Sequence, residues 1–282
     1  MKRTADWKRR GARRAASRLA RSKAGISIAV SAVIISAAIL SITFIAAYVS
    51  ANVLEMQMQS TEFEQAKMNM QTLNEIIQDV GLKHGSGGSV RFNARAGGIN
   101  FLRNSTAFNV TIDSDKGGVP DWLALNYSSG SLQYRGGSLT GTYDVNITNP
   151  TGLIVTRASD PLGYLRVEQR GGPWIKADYY RVRVINAGVV DVGTLGKYQF
   201  VDVTFIRLEN GTFGGSGTQN VKVQNLAIDV TTKSYLRNQD YNSKITIIVK
   251  FGALTDTMDI DAPSVAGIAL TVTVARVMIS IT

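Results

Sequence analysis

The residues best suited to chemistry are acidic side chains in two groups. The run Asp113-Ser114-Asp115-Lys116-Gly117 begins like a calcium-binding loop, and Asp256, Asp259 and Asp261 form a second group. Carboxylate oxygens are preferred ligands of Ca²⁺, but an EF-hand loop also needs a glutamate at its twelfth position, which is Ala124 here. The EF-hand motif is therefore excluded. Two interpretations stay open for these acids: a looser calcium site near Asp113 or Asp256, or ordinary acids in turns and at strand edges.

Other side chains that support catalysis are scarce. The chain has one histidine, His84, and no cysteine, which excludes disulfides, thiolate zinc sites and iron–sulfur clusters. It also lacks the Gly-x-Ser-x-Gly, His-Glu-x-x-His and phosphate-loop motifs. We therefore predict that the protein is not an enzyme and has no catalytic residue, cofactor or metal. A hydrolase built on carboxylates alone is the remaining enzymatic alternative.

An apolar segment organises the rest of the chain. Residues 26–49 contain no charge, glycine or proline, and roughly 20 such residues in a helix cross the ~30 Å hydrocarbon layer of a membrane. Residues 1–25 carry ten Lys or Arg against one acid, so they account for nearly all of the net charge of +10. Basic residues beside an apolar helix hold that end in the cytoplasm. The remaining chain is nearly neutral, and no nucleic-acid partner is indicated.

The junction between these two segments carries a family resemblance. Lys23-Ala24-Gly25, followed by Ile26-Ser27-Ile28-Ala29-Val30, resembles the class III signal of archaeal type IV pilins and archaellins. The resemblance implies that a prepilin peptidase cuts between Gly25 and Ile26, removes leader 1–25, and leaves the apolar helix on the mature subunit. Bacterial pilins usually have Glu where Val30 stands, which favours the archaeal branch. Ordinary signal-peptidase cleavage near Val49-Ser50-Ala51 is the alternative.

The helix is predicted to continue to residue 80 and to end at Gly81, because residues 26–80 contain neither glycine nor proline. Beyond the apolar segment, hydrophobic residues recur at spacings of three and four, which predicts an amphipathic helix whose stripe packs on protein. That partner is the chain's own head, a neighbouring subunit, or both. Small residues in the apolar segment favour close helix packing, although a hydroxyl can also bond its own helix. The residues predicted to form a filament core are Ile28, Ser31, Ile35, Ala38, Ser41, Ile42, Ile45, Phe63, Met70, Leu73 and Ile77.

The rest of the chain predicts a β-rich head. Residues 81–98 are rich in glycine and are expected to form a flexible joint. From residue 99 to 282, short apolar or alternating runs separated by Gly, Asn, Asp and Pro predict an antiparallel β-sandwich. The predicted fold class is therefore α+β, a long N-terminal helix followed by this head. Turn residues are dense between 150 and 172, so two lobes are an open alternative. Strands are expected at 106–113, 143–148, 162–167, 179–185, 198–208, 221–230, 245–251 and 268–281.

Five Asn-x-Ser/Thr sequons lie in the head, on the side expected to be outside the cell, and are candidate glycosylation sites. Their asparagines are Asn104, Asn109, Asn126, Asn146 and Asn210.

The resemblance implies a structural subunit of an archaeal type IV pilus-like filament. Such a subunit rests in the membrane with its N-terminus in the cytoplasm and then enters a helical homopolymer outside the cell. Its partners would be other copies of the chain, the prepilin peptidase, the membrane assembly machinery and, before assembly, lipid. Two alternatives stay open: a membrane-anchored binding or adhesion protein that never polymerises, and an archaellin of a motility filament.

Overall fold

The computed structural model describes residues 4–117, 125–148, 152–214 and 217–282, with side chains from Ile28 onward except that of Leu125. One helix, α1, spans Thr4–Gly81, and thirteen strands follow it within the described ranges. The α+β class is thereby confirmed. The strands are β1 Gly87–Ala94, β2 Gly98–Ser114, β3 Leu125–Arg135, β4 Val145–Asn146, β5 Ile154–Val155, β6 Tyr164–Gln169, β7 Pro173–Asp178, β8 Val182–Asp191, β9 Lys197–Phe213, β10 Gly217–Leu236, β11 Lys244–Phe251, β12 Leu254–Asp261 and β13 Gly267–Ile281.

The helix ends where the sequence predicts, but it begins earlier. It starts at Thr4, within the basic stretch, instead of at residue 26. At its other end, the side-chain amide of Asn225 donates to the carbonyl oxygens of Val80 and Gly81 at 3.1 and 3.0 Å. These bonds satisfy terminal carbonyls that have no partner within the helix. The stop at Gly81 is therefore fixed by a side chain from β10.

The chain divides into two compact units, Met1–Gln57 and Met58–Thr282. The second unit, called the head below, contains two sheets whose strand orders are β1-β10-β13-β9-β8-β5 and β12-β11-β2-β3-β7-β6-β4. Residues 58–282 form one compact unit in this division, and the two-lobed alternative near 150–172 stays a prediction. The head also contains the last part of α1, which was expected to belong to the membrane and filament segment.

The expectation of a purely antiparallel head needs correction. β13 pairs with β9 in parallel along nearly its whole length, and β5 pairs with β8 in parallel. Most residues of β13 are buried, from Gly267 to Ile281, as expected of a central strand covered on both faces. Alternation and turn residues locate strands in a sequence but do not give the direction of pairing.

The expected joint also contains a strand. β1 pairs antiparallel with β10, and its Val90 and Phe92 side chains are buried. The segment Ser89-Val90-Arg91-Phe92-Asn93 alternates polar and apolar residues, which is the strand period. The flanking glycines obscured this short pattern.

The head has two hydrophobic clusters, arranged along the long strands. One contains the helix residues Phe63 to Val80 together with side chains from both sheets. The other contains residues from both sheets and none from the helix. β2, β9 and β13 contribute to both clusters. The same strands therefore build the part of the head that receives the helix and the part that does not.

Candidate functional site: the apolar helix segment

The apolar segment is defined here as Ile28–Leu54, in which every side chain is exposed. Ile28, Phe44 and Tyr48 are each at least 70% exposed. By length and composition this is one helix that could cross a membrane. A long apolar helix near the N-terminus that could serve as a membrane anchor is thus present.

The first half of the residues predicted for a filament core lies along one stripe of this segment. Positions 28, 31, 35, 38, 42 and 45 follow the spacing of three and four that keeps residues on one helix face. All of them, and Ser41 beside them, are exposed. Four of these six residues are isoleucines, while Ser31 and Ala38 are small, so a partner backbone could approach closely at these two positions.

Two hydroxyl groups of the apolar segment are satisfied within the helix. Ser41 Oγ donates to the Ala37 carbonyl oxygen at 2.8 Å, and Thr43 Oγ1 donates to that of Ile39 at 2.9 Å. Unpaired hydroxyls in hydrocarbon are costly. Because these two hydroxyls bond the backbone of their own helix, they need no polar partner from another helix. Any role for these residues in close packing between helices therefore depends on the size of their side chains.

The second half of the predicted filament core has a different location. Phe63, Met70, Leu73 and Ile77 are at most 2% exposed and belong to the head's own first cluster. Of the two partners that the sequence left open, their partner here is the chain's own head. Because these side chains are already covered, they are removed from the predicted contact surface between subunits.

Polar side chains also fix this part of the helix to the head. The Glu62 carboxylate accepts from the backbone N–H groups of Ala96 and Gly97 at 3.2–3.3 Å and from the Tyr134 hydroxyl at 2.9 Å. Burial, together with this bond to Glu62, raises the pKa of the Tyr134 hydroxyl. Farther along, Tyr179 donates to Asn74 Oδ1 at 2.6 Å. Helix residues from 62 onward are therefore held by both apolar and polar contacts.

The predicted processing residues Lys23, Ala24, Gly25 and Ile26 lie within α1. Their side chains are outside the described part of the structure. The resemblance to a class III signal therefore continues to depend on the sequence alone.

None of the five sequon asparagines is buried. Asn109 and Asn126 face each other across β2 and β3, and Asn109 Nδ2 donates to Asn126 Oδ1 at 2.7 Å. Asn104 lies in a bulge of β2 with φ of 48°. Asn146 Oδ1 accepts from the Tyr164 hydroxyl at 2.7 Å. Accessibility is therefore compatible with modification, while glycosylation stays a prediction.

The acidic groups are engaged by protein donors. Asp115 accepts from the backbone N–H groups of Asn242 and Ser243 at 2.7 and 2.6 Å and from the Ser243 hydroxyl at 2.7 Å. These bonds, that from Asn242 first, lower its pKa from 3.8 to about 2. Asp256 accepts from the N–H groups of Leu153 and Ile154. Within the described ranges, no three His, Cys, Asp or Glu side chains are grouped as a metal site would require.

Comparison with known proteins adds no assignment, because no protein-family model, curated protein or solved structure matches this chain.

Proposed function

We propose that this chain is the structural subunit of an extracellular filament of the archaeal type IV pilus kind. In this proposal, leader 1–25 is removed by cleavage after Gly25, and the apolar segment anchors the mature subunit in the membrane before assembly. A helical homopolymer then forms through contacts between these segments, with the head, in this proposal a pilin-like β-sandwich, on the outside. The observation that carries the proposal is the run of exposed, uncharged side chains from Ile28 to Leu54.

Two arguments favour assembly over simple anchoring. A plain anchor needs only ~20 apolar residues of any size, whereas this stripe carries two small residues, Ser31 and Ala38, seven positions apart, with Ser41 beside them. Lipid gives apolar helices no hydrophobic reason to associate, so close backbone approach at small residues must supply the attraction. An exposed patch on one subunit that contacts a different patch on the next, without closing a ring, generates a helical fibre.

The runner-up is a membrane-anchored surface protein that does not polymerise. A specific observation favours it: the stripe from Phe63 to Ile77 is already buried in the head, so this half of the helix needs no neighbouring subunit. Only the apolar segment then requires a partner, and lipid satisfies it as well as another helix does.

The decisive experiment compares Ala38→Phe with Ala47→Phe. Both replace an exposed alanine of the apolar segment, and nine residues at ~100° each place Ala47 on the side of the helix opposite Ala38. Phenylalanine is well tolerated in membrane helices, so both variants should insert and be processed normally. In a packed core, overfilling costs ~1–3 kcal/mol per site in every subunit, so Ala38→Phe should strongly reduce filaments.

Filaments sheared from cells are counted by electron microscopy, and their subunit is identified by mass spectrometry. Normal filaments in Ala38→Phe would contradict the predicted stripe. Sheared material that never contains this chain would reject the filament and support the anchored surface protein.

A further inference from the structure

A cleft of about 560 Å³ opens in the head beside the start of β2, the end of β3 and the turn between β6 and β7. Its volume lies within the ~300–1,000 Å³ range of small-molecule sites. The proposed filament function gives this cleft no role. The residues that matter for its chemistry are Asn100, Arg135, Ser138 and Trp174, together with the glycines of the turn.

Arg135 is an exposed cation held in place by an aromatic ring. Its guanidinium carbon lies 5.6 Å from the centroid of the Trp174 ring. The ring is itself fixed, because Trp174 Nε1 donates to the Arg170 carbonyl oxygen at 3.1 Å. Stacking on an indole leaves the edge of a guanidinium and its N–H groups free to bind a ligand.

No carboxylate of the described ranges forms an ion pair with Arg135. By contrast, Arg166 and Arg276 lie 2.7 Å from Glu168 and Glu209 respectively. None of the described residues that line the cleft is acidic. Glu62 lies near Ala96 and Gly97, but it is not part of the lining and accepts from their N–H groups. Among the residues that the structure describes, the positive charge in the cleft therefore has no carboxylate counter-ion.

The rest of the cleft is bordered by a glycine turn without side chains and by the polar side chains of Asn100 and Ser138. A Cβ atom at Gly171 or Gly172 would meet no atom within 4 Å, so the turn adds no side chain over the cleft. Both glycines have positive φ, 62° and 132°, which disfavours larger residues there. Among the described residues, neither Ser138 Oγ nor Asn100 Nδ2 has a hydrogen-bond partner. Neutral donors and acceptors thus stand beside the free cation.

We propose that this cleft binds a carboxylate-bearing sugar, such as one residue of an acidic surface polysaccharide. The planar guanidinium of Arg135 binds the carboxylate with two parallel hydrogen bonds. Asn100 and Ser138 bind ring hydroxyls, and Trp174 supplies an apolar edge. The cleft is far larger than an inorganic ion, and its neutral polar groups match a ligand rich in hydroxyls. An apolar ligand would leave the cation and these groups unpaired.

The test uses the unassembled full-length chain in detergent and isothermal titration calorimetry with trigalacturonate, its methyl ester and inorganic phosphate. We expect saturable binding of trigalacturonate, at least ~10-fold weaker binding of the ester, and no comparable binding of phosphate. Equal binding of the ester, tighter binding of phosphate, or no binding of trigalacturonate would overturn the proposal.

Four variants, one of them a control, locate the site. Arg135→Gln should weaken trigalacturonate binding at least ~10-fold, and Arg135→Lys should be intermediate because it keeps the charge but loses the fork. Arg103→Gln is the matched control, since Arg103 is exposed on β2 and does not line the cleft. Equal loss in the control and in Arg135→Gln would reject the site.

Ser138→Phe keeps Arg135 and fills the cleft, so it should also abolish binding of trigalacturonate. If Arg135→Gln does not fold, this variant tests the site in its place. Subunits that bind the sugar but form no filaments would refute only the filament proposal.

Discussion

Two leucines of the same helix allow a direct test of which part of the helix packs into the core of the head. Leu73 is 1% exposed within the first cluster, whereas Leu54 is 58% exposed in the apolar segment. Leu73→Ala and Leu54→Ala change the intrinsic helix propensity equally. Any difference between them in the stability of the head therefore reports the packing of Leu73 against the strands.

The magnitude follows from burial. A fully buried Leu→Ala change costs about 2–5 kcal/mol, the lost transfer free energy plus the cavity left behind. Leu73 touches a cluster built from the helix and both sheets, which limits collapse around the cavity, so we expect about 3 kcal/mol. For a unit of this size, Tm should fall by roughly 6–12 °C. Leu54→Ala should change the free energy of head unfolding by no more than about 0.5 kcal/mol.

The assay is urea unfolding followed by near-ultraviolet circular dichroism at a fixed detergent concentration, which reports the tertiary structure of the head. An equal effect of the two variants would refute the placement of residues 63–80 in the head core. A large effect of Leu54→Ala alone would mean that the head is stabilised through the apolar segment.

Three further predictions concern hydrogen bonding, acid stability and processing. Tyr179→Phe leaves the buried Asn74 Oδ1 without its 2.6 Å donor and should destabilise the head by about 1–3 kcal/mol, whereas Tyr143→Phe, at a side chain 77% exposed, should have no measurable effect in the same urea titration. Asp115 has its pKa lowered from 3.8 to about 2, so its ionised form stabilises the head fully above pH ~4, and this contribution is lost as pH falls through about 2. The Tm difference between wild type and Asp115→Asn should accordingly narrow from pH 5 to pH 2, and a constant difference would contradict that role for the carboxylate. Gly25→Phe should leave the leader attached if the class III resemblance holds; N-terminal sequencing should find Ile26 in the wild type, and Met1 or Asn52 would reject the predicted cut.

The sequence predicts the long elements because their periods are sustained. The stripe from Phe63 to Val80 recurs at three and four and is buried as one face of a helix. Alternation in the runs at 106–113, 198–208 and 268–281 marks the cores of β2, β9 and β13. These patterns extend over enough residues to outweigh local exceptions.

The missed strands have weak local signals. β3 contains Ser128, Ser129, Gly130 and Ser131, which have low strand propensity, yet Ser129 is fully buried and its hydroxyl accepts from the Leu208 N–H. β7 follows two glycines and begins with a proline, a combination typical of turns. In these cases tertiary contacts override local preference.

No pattern in the sequence indicates the cleft beside Arg135. Its walls come from segments around residues 98, 136 and 172, which only the strand pairing of β2, β3 and β7 brings together. Arg135 has no distinctive neighbours in the sequence. What distinguishes it is an exposed cation without an acidic partner among the described residues, and this can be recognised only in the three-dimensional structure.

The central position of β13 sets the order in which the head can be completed during synthesis. β13 lies between β10 and β9, and its Val277 and Ile279 share a cluster with Ile77 of the helix. At ~5–20 residues per second, the ribosome needs on the order of 10–40 s to proceed from one to the other. During this interval the stripe of the nascent helix lacks the strand that completes its cover. The core of the head can therefore be completed only after β13 has been translated, and until then the apolar stripe of the helix lacks part of its cover.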